Sequence, residues 1–253
     1  MDVCPRLRTP QSLEQYLKGL DANVRRRLMQ AKKAFGQDTN SAIETVTTET
    51  LSGAFRDLVK LHQARWNRLG YPGLFHEARF EGFQEEMVRS CWDRGWVWFK
   101  AVRLDGMRIA ARLAFQFNGH IYDYLTGFDD RSPGSKHRPG LAILLSAVED
   151  AVTLKYHSVE LLRGDETYKF ELTSEVTYIW KVRFFNSKTH RSVRSRLSTV
   201  LRSIERSVAM VLKERLLLAV QCRQHGIPVG VFQYGKFRYG RLQHKLSPRE
   251  KNK

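Results

Sequence analysis

The chain divides into stretches of two different hydrophobic periods. From Ser12 to Gly36 the apolar residues Leu13, Tyr16, Leu17, Leu20, Val24 and Leu28 recur near helical spacing. Ser12 is placed to cap the first turn of one helix and Gly36 to end the last. After a polar turn at 37–41, the alternating, β-branched AIETVTT (42–48) predicts a strand. Two helices follow. The first, 52–69, carries Phe55, Leu58, Val59, Leu61 and Trp66; the second, 78–94, carries Phe80, Phe83, Met87, Val88 and Cys91, and LGYPGLF between them reads as a loop.

At Trp96 the period drops to two. WVWFKAVRL (96–104), RIAARLAFQF (108–117) and HIYDYLTGF (120–128) predict a three-stranded antiparallel meander, turning at Asp105–Gly106 and Asn118–Gly119. Asp-Gly and Asn-Gly between β runs are strong hairpin signals, because both central residues of the favoured turn need positive φ. A Gly-, Pro- and Ser-containing loop (129–140) leads to a helix at 141–156 and a buried strand at 158–164. Joined through that helix, strands 120–128 and 158–164 should lie side by side and parallel. DETYKFELT (165–173) starts as a polar turn, 176–185 reads as a strand, and 192–225 as a long basic helix. The resulting divisions are a basic N-terminal helix (1–35), an α/β domain (36–185) and a basic helix and tail (186–253).

Composition narrows the classes. With 253 residues, 42% hydrophobic and 27% charged, the chain holds one globular domain with extensions or two small ones, which excludes disorder. Cys4, Cys91 and Cys222 are odd in number and form no CxxC pair, so neither a disulfide framework nor a zinc site is indicated and a cytoplasmic setting fits best. No run approaches the roughly 18 apolar residues of a transmembrane span, and the first residues lack a signal-peptide core. The histidines and carboxylates show no metal-ligand spacing, so no metal is expected. The net charge of +17 is unevenly placed: 8 Lys/Arg against 3 Asp/Glu in 1–35, 17 against 20 in 36–180, and 18 against 3 in 181–253. Such basic ends attract polyanions, or they are simply solvated surface.

Two stretches carry candidate chemistry. The loop RSPGSKHRPG brings Gly134, Arg138 and Gly140 to the start of a helix, where free N–H groups and the helix dipole favour an anion; a purely structural role for the loop is the alternative. RGDETYK brings Arg163, Asp165, Glu166, Tyr168 and Lys169 to the end of a strand. There Glu166 or Asp165 can take a proton and Tyr168 return one, unless Glu166 merely pairs with Arg163 or Lys169. Asp123 and Tyr124 are second candidates, of which strict alternation turns one inward. His62 and Trp66, about a turn apart, line an acceptor site or else form part of the core.

The order of elements, with the phrases LVKLHQARWNRLGYPGLF (58–75), GMRIAARLAFQFNGHIYDYLTGFDDRSPG (106–134) and VELLRGDETYK (159–169), resembles the GNAT (acyl-CoA N-acyltransferase) fold, and within it the Fem-like branch that includes the CelD type associated with cellulose biosynthesis. The resemblance implies a twisted mixed sheet with flanking helices. It also implies an acyl-coenzyme A cosubstrate lying between strands 120–128 and 158–164, against Leu125, Thr126, Gly127 and Leu141 in addition to the loop residues, with its pyrophosphate on helix 141–156. The family's Gln/Arg-x-x-Gly-x-Gly/Ala phosphate loop is replaced here by RSPGSKHRPGLA, with SKHRP extra. Fem-like proteins often hold two such modules in tandem, and this chain starts at the bridge to the second. Three readings follow. The first is transfer of an acyl group, acetyl above all, to an amine or hydroxyl of a small-molecule or saccharide-linked acceptor in polysaccharide or cell-envelope synthesis. The second is an aminoacyl-tRNA-dependent transferase. The third is a non-catalytic module whose basic helix 192–225 docks on a partner or an anionic membrane surface, whereas tRNA phosphates suit the basic C-terminal region under the second reading.

Overall fold

The computed structural model describes residues 2–36, 40–180 and 182, of which Asp2–Tyr178 form one compact unit. The elements in chain order are β1 (Asp2–Arg8), α1 (Leu13–Gly19), α2 (Ala22–Ala34), β2 (Ser41–Thr45), α3 (Leu51–Arg68), α4 (Ala78–Trp92), β3 (Val97–Leu104), β4 (Met107–Phe117), β5 (His120–Phe128), α5 (Pro139–Thr153), β6 (Ser158–Glu160), α6 (Thr167–Leu172) and β7 (Val176–Ile179). The strands make one mixed, open sheet in the order β2-β3-β4-β5-β6-β1-β7. No helix among the described residues is long and apolar enough to cross a membrane, and no group of metal-binding side chains occurs among them.

The meander forms as its turns require. Asp105 and Gly106 take φ of 49° and 79°, and Asn118 and Gly119 take 48° and 75°, the left-handed pairs of tight hairpins. β4 is covered on both sides. Ala111 and Leu113 join a core under α3 and α4 with Phe55, Leu58 and Leu125, whereas Ala110 and Ala114 join a core with α2 and α5 containing Leu28, Phe35, Ile143 and Val159. Its nearly continuous apolar text reflects this two-sided burial. β5 and β6 are parallel neighbours, with His120 opposite Ser158 and Tyr122 opposite Glu160.

Several local expectations are corrected. The single helix expected over 12–35 is two, because Leu20 leaves the helical conformation at ψ 156° and Asp21 starts a new helix by accepting from the N–H groups of Asn23 and Val24. The N-terminal residues also supply β1, which pairs antiparallel with β6. Pro5 and the charged Asp2, Arg6 and Arg8 hide its alternation, although Cys4 and Leu7 are buried. The strand expected at 158–164 stops at Glu160, as Leu162 takes φ 54° and Gly164 φ 152°. The segment 165–173, expected to start as a polar turn, becomes helix α6 from Thr167, with Lys169 and Leu172 buried. The expected strand 176–185 is strand from Val176 to Ile179; its end and the basic helix at 192–225 lie outside the described residues.

Candidate active site

The two central strands pair only at their beginnings. Beyond Tyr122 and Glu160 the chain of β6 stays beside β1, through Leu161 N–H to the Pro5 carbonyl (3.0 Å) and Gly164 N–H to the Val3 carbonyl (3.2 Å). β5 keeps β4 on one edge as far as Phe128, but no described strand continues on the other edge after Tyr122. A gap therefore opens between β5 and the segment after β6. The register of β4 with β5 also slips here: Leu113 faces Leu125 and Ala114 faces Asp123, which leaves Tyr124 as the extra residue of a bulge. Asp123 and Tyr124 still take opposite faces, and the bulge puts Tyr124 on the face of Leu125; because both faces are covered, both residues turn inward and not one alone. Tyr124 packs on Phe115 at 5.3 Å, while Asp123 reaches a polar cluster.

That cluster joins four elements. Arg112 of β4 and Asp123 of β5, with side chains 6% and 8% exposed, form an ion pair, and Arg112 donates also to the carbonyl of Gly140 at the start of α5 (3.2 Å). The Tyr168 phenol of α6 lies close enough to interact electrostatically with both charges. Burial pushes the Tyr168 phenol up to about 12, with the Arg112 charge pulling it down and Asp123 and Glu166 pushing it further up. Asp123 Oδ1 and Arg112 Nε are buried without a hydrogen-bond partner among the described residues. Charged groups so enclosed persist only when paired, and here each keeps one unused position. Arg112 is absent from the sequence-derived candidates; its signal was a lone charge inside AARLA, on a strand otherwise apolar on both faces.

The α5 N-terminus has fewer open donors than an ideal anion site. Pro139 has no N–H, and the N–H groups of Leu141 and Ala142 both go to the Arg138 carbonyl, at 2.9 and 3.3 Å. Gly140 N–H is the first-turn donor that no described acceptor engages. Arg138 is exposed, in the left-handed conformation (φ 56°), and lines a cleft of about 1360 Å³ with Arg26, Arg27 and Gln30 of α2 and residues from the ends of β1 and α6. Leu141 packs half-buried on the core. Gly134 lies apart from this arrangement. A Cβ there would meet Ile109 at 2.6 Å and Leu104 at 3.1 Å, so it serves close packing.

The RGDETYK residues separate. Lys169 is buried, and its ammonium donates to the carbonyls of Leu162 (3.4 Å) and Arg163 (3.2 Å) and pairs with Glu166 (3.0 Å), tying down the loop in which it lies. Glu166 thereby takes up one of the pairings open to it in the sequence, and its side chain stays 55% exposed. Asp165 and Arg163 are exposed, the latter 3.4 Å from Asp2.

On the other face, Gly127 lets α3 approach β5: a Cβ there would lie 2.8 Å from both His62 N and the Leu58 carbonyl oxygen. Leu125 is buried under the same helix, and Thr126 sits opposite Arg112. His62 is buried with its ring 5.3 Å from Phe75 and 5.9 Å from Trp66, and Nδ1 has no described partner. Burial lowers its pKa, the Gln63 side chain opposes part of that, and the Arg65 charge adds a smaller downward push. Trp66 rests on Tyr71 at 5.3 Å. Between them in sequence, Arg65 places its guanidinium 4.4 Å from the centre of the Phe128 ring, at the open end of β5. No motif or spacing in the sequence singles out this residue.

The structure thus gathers Asp123, Tyr168 and Gly140 around Arg112, with Arg138 at the same helix start. It leaves Asp165, Glu166 and Arg163 on the surface, and Lys169, Gly127, Gly134, Leu125 and His62 in packed surroundings.

Comparison with known proteins bears on this geometry. The Acetyltransferase (GNAT) domain family matches residues 22–170, more than half of the chain. No curated protein matches. Among solved structures the chain is similar to FemX, at TM-score 0.52 and 10% identity over 67% of this chain and 57% of that one. Two others are a conserved protein of unknown function from Bacteroides thetaiotaomicron (TM-score 0.48, 8% identity, 68% and 55% covered) and L-PGS from Bacillus licheniformis (0.40, 12%, 64% and 46%). The chain spans about half the length of these structures. At such identities the likeness to FemX concerns the fold, and the matched family domain carries the assignment: the chain belongs to the GNAT acetyltransferase family.

Proposed function

We propose that the protein transfers an acyl group, acetyl above all, from acyl-coenzyme A to an amine or hydroxyl of a small or saccharide-linked acceptor, at the open end of the β5–β6 gap. The observation that carries this reading is the divergence of β5 and β6 after Tyr122 and Glu160, with the start of α5 beside the open half. The residues there fit a thioester cosubstrate. From Asp123 to Phe128 one edge of β5 lacks a described strand, Gly140 N–H is open, Arg138 leads into the arginine-bearing cleft, and a Cβ at Gly140 would meet nothing closer than Phe128 at 3.9 Å. Acyl-coenzyme A supplies the activated carbonyl.

The transfer forms a C–N or C–O bond, breaks the C–S bond, removes one proton from the acceptor and delivers one to sulfur. Asp123 Oδ1, buried and unpartnered, accepts a hydrogen bond from the entering nucleophile and orients it, while Arg112 holds that carboxylate in place. Tyr168, its phenol pushed up to about 12, keeps its proton at neutral pH and has it available for the leaving sulfur. Asp165 and Glu166 at the exposed mouth carry the released proton to solvent. Positioning supplies much of the acceleration, which suits a site without a strongly basic group.

A second reading keeps the site and takes the acyl group from aminoacyl-tRNA. It is supported by the 18 Lys/Arg against 3 Asp/Glu in residues 181–253, and its binding would weaken steeply with salt. Titrating the full chain with acetyl-coenzyme A, longer acyl-coenzymes and bulk charged tRNA, alongside a thiol-release assay over a panel of amines and sugars, separates the two. Acetyl-coenzyme A should bind, and Tyr168→Phe should lower kcat by about 10²–10⁴-fold with little change in donor affinity. Binding of tRNA without any coenzyme would replace the first reading by the second, and a Tyr168→Phe enzyme at full rate would remove the phenol from the reaction.

A further inference from the structure

One cation at the open end is used by none of these steps. Arg65, on α3, is half-buried, and no described oxygen accepts a hydrogen bond from it or forms an ion pair with it. The nearest carboxylates are already engaged: Arg68, three residues on, pairs with Asp130 and approaches Asp129 at 4.0 Å. Burial accordingly weakens the hold of Arg65 on its proton, against the smaller opposing pull of Asp130, yet a guanidinium stays charged at any physiological pH. Its guanidinium carbon lies over aromatic rings, 4.4 Å from the Phe128 centre and 6.0 Å from the Trp66 centre. Phe128 ends β5 and is the nearest neighbour that a Cβ on Gly140 would meet, while Tyr168 lies close enough to act electrostatically on Arg65. A stacked guanidinium presents a rigid fork of donors matched to a planar or tetrahedral oxyanion.

We propose that Arg65 binds an anionic group, carboxylate or phosphate, of the molecule that enters the open end of the β5–β6 gap. Partial desolvation without a partner costs stability in the empty protein, and an oxyanion seated on the fork removes that cost. The anion has two available carriers. It belongs either to the acceptor, which then bears a negative group near its nucleophile, or to the phosphates of the donor. The place of Arg65 in the reaction rests on the acyl-transfer reading; its capacity to bind an anion rests on the geometry alone.

The test follows the Nε–H resonance of Arg65 in the full chain, assigned by its absence from Arg65→Lys, during titration with acetate and then inorganic phosphate. A saturable shift is expected, larger than at the exposed Arg131, together with an anion-dependent rise in thermal midpoint that is lost in Arg65→Gln. Arg65→Gln gives up the ring contact with Phe128 together with the unpaired, partly desolvated charge, two effects of opposite sign, so the variant should fold with a midpoint close to that of the wild type in anion-free buffer. Acetyl-coenzyme A titrations then identify the carrier. A tenfold or greater loss of donor affinity in Arg65→Gln assigns the anion to the donor; unchanged affinity, with the acetate shift persisting in saturating acetyl-coenzyme A, assigns it to the acceptor. If acetyl-coenzyme A fails to bind while acetate or phosphate still saturates Arg65, the donor reading falls and the anion site stands. A resonance that moves no more than that of Arg131 with either anion overturns the proposal.

Discussion

A buried acid lies at each half of β5, Glu160 on the neighbouring β6 and Asp123 on β5 itself, and the two acids are treated differently. At the closed end, where β5, β6 and β1 are hydrogen-bonded together, Glu160 Oε1 accepts from Arg6 (2.6 Å) and Ser158 (2.5 Å), and His120 contacts the same serine hydroxyl at 2.8 Å. Its charge holds three strands in register. At the open end Asp123 gives one oxygen to Arg112 and leaves the other buried without a described partner. Buried polar groups in native proteins are nearly always satisfied, so an orphaned carboxylate oxygen beside an open strand edge supports the proposed place for an incoming group. On that proposal, pairing and chemistry divide one strand at Tyr122.

The largest effects should come from the two acids. Asp123→Asn leaves the enclosed Arg112 without its counter-charge and should cost about 3–5 kcal/mol by chemical denaturation, whereas the paired change Arg112→Met with Asp123→Leu should recover most of that loss. Glu160→Gln should cost less, about 1–3 kcal/mol, because the Arg6 side chain is 34% exposed and water can solvate it. The reverse order would mean that the closed end carries the more costly charge and would break the comparison.

Glycines sharpen it next. Both Gly127 and Gly140 were candidates for the donor site, but a Cβ at 127 meets the α3 backbone at 2.8 Å and one at 140 meets only Phe128, at 3.9 Å. Gly127→Ala should therefore cost about 1–3 kcal/mol in thermal or denaturant unfolding. Gly140→Ala should leave stability within about 0.5 kcal/mol, and Gly140→Leu should weaken acetyl-coenzyme A binding without unfolding the protein. Equal destabilisation by the two alanines would remove the distinction between a packing glycine and a binding one.

How much of this was legible follows from where the local signals lay. Asp105–Gly106 and Asn118–Gly119 announced their hairpins because the turn itself demands positive φ. The crossover through α5 announced the parallel pair. β1 was not legible, since Pro5 and three charges interrupt its apolar text and it exists only by pairing with β6, more than 150 residues away. α6 was equally hidden: six residues cannot show a helical period, and its formation depends on burying Leu172 and Lys169. At the site, Tyr168 and Asp123 could be named from sequence, but their meeting could not, because it depends on a bulge at Tyr124 and on Arg112 reaching across two elements. Arg65 carried no signal of its own, because nothing local in the sequence places Phe128 beside it.

A smaller effect concerns pH. Burial lowers the pKa of His62 in the folded protein from an ordinary value of 6.5. Between the folded value and about 6.5 the unfolded chain binds more protons, so stability should be lost as pH falls through that window, by no more than about 1.4 kcal/mol per pH unit. Stability curves of the wild type and His62→Gln should diverge below pH 6.5 and run parallel above it; curves parallel throughout would mean that the imidazole titrates in its burial site as it does in water.

The division of β5 at Tyr122 is tested most directly by hydrogen exchange of the full chain with and without saturating acetyl-coenzyme A. The account predicts new protection in Asp123–Phe128 and at Gly140, where edge and helix-start amides have no described partner, and none at His120–Tyr122, where the strand is already paired on both sides. Protection confined to His120–Tyr122, or ligand-induced protection that spares 123–128 and Gly140, would contradict it.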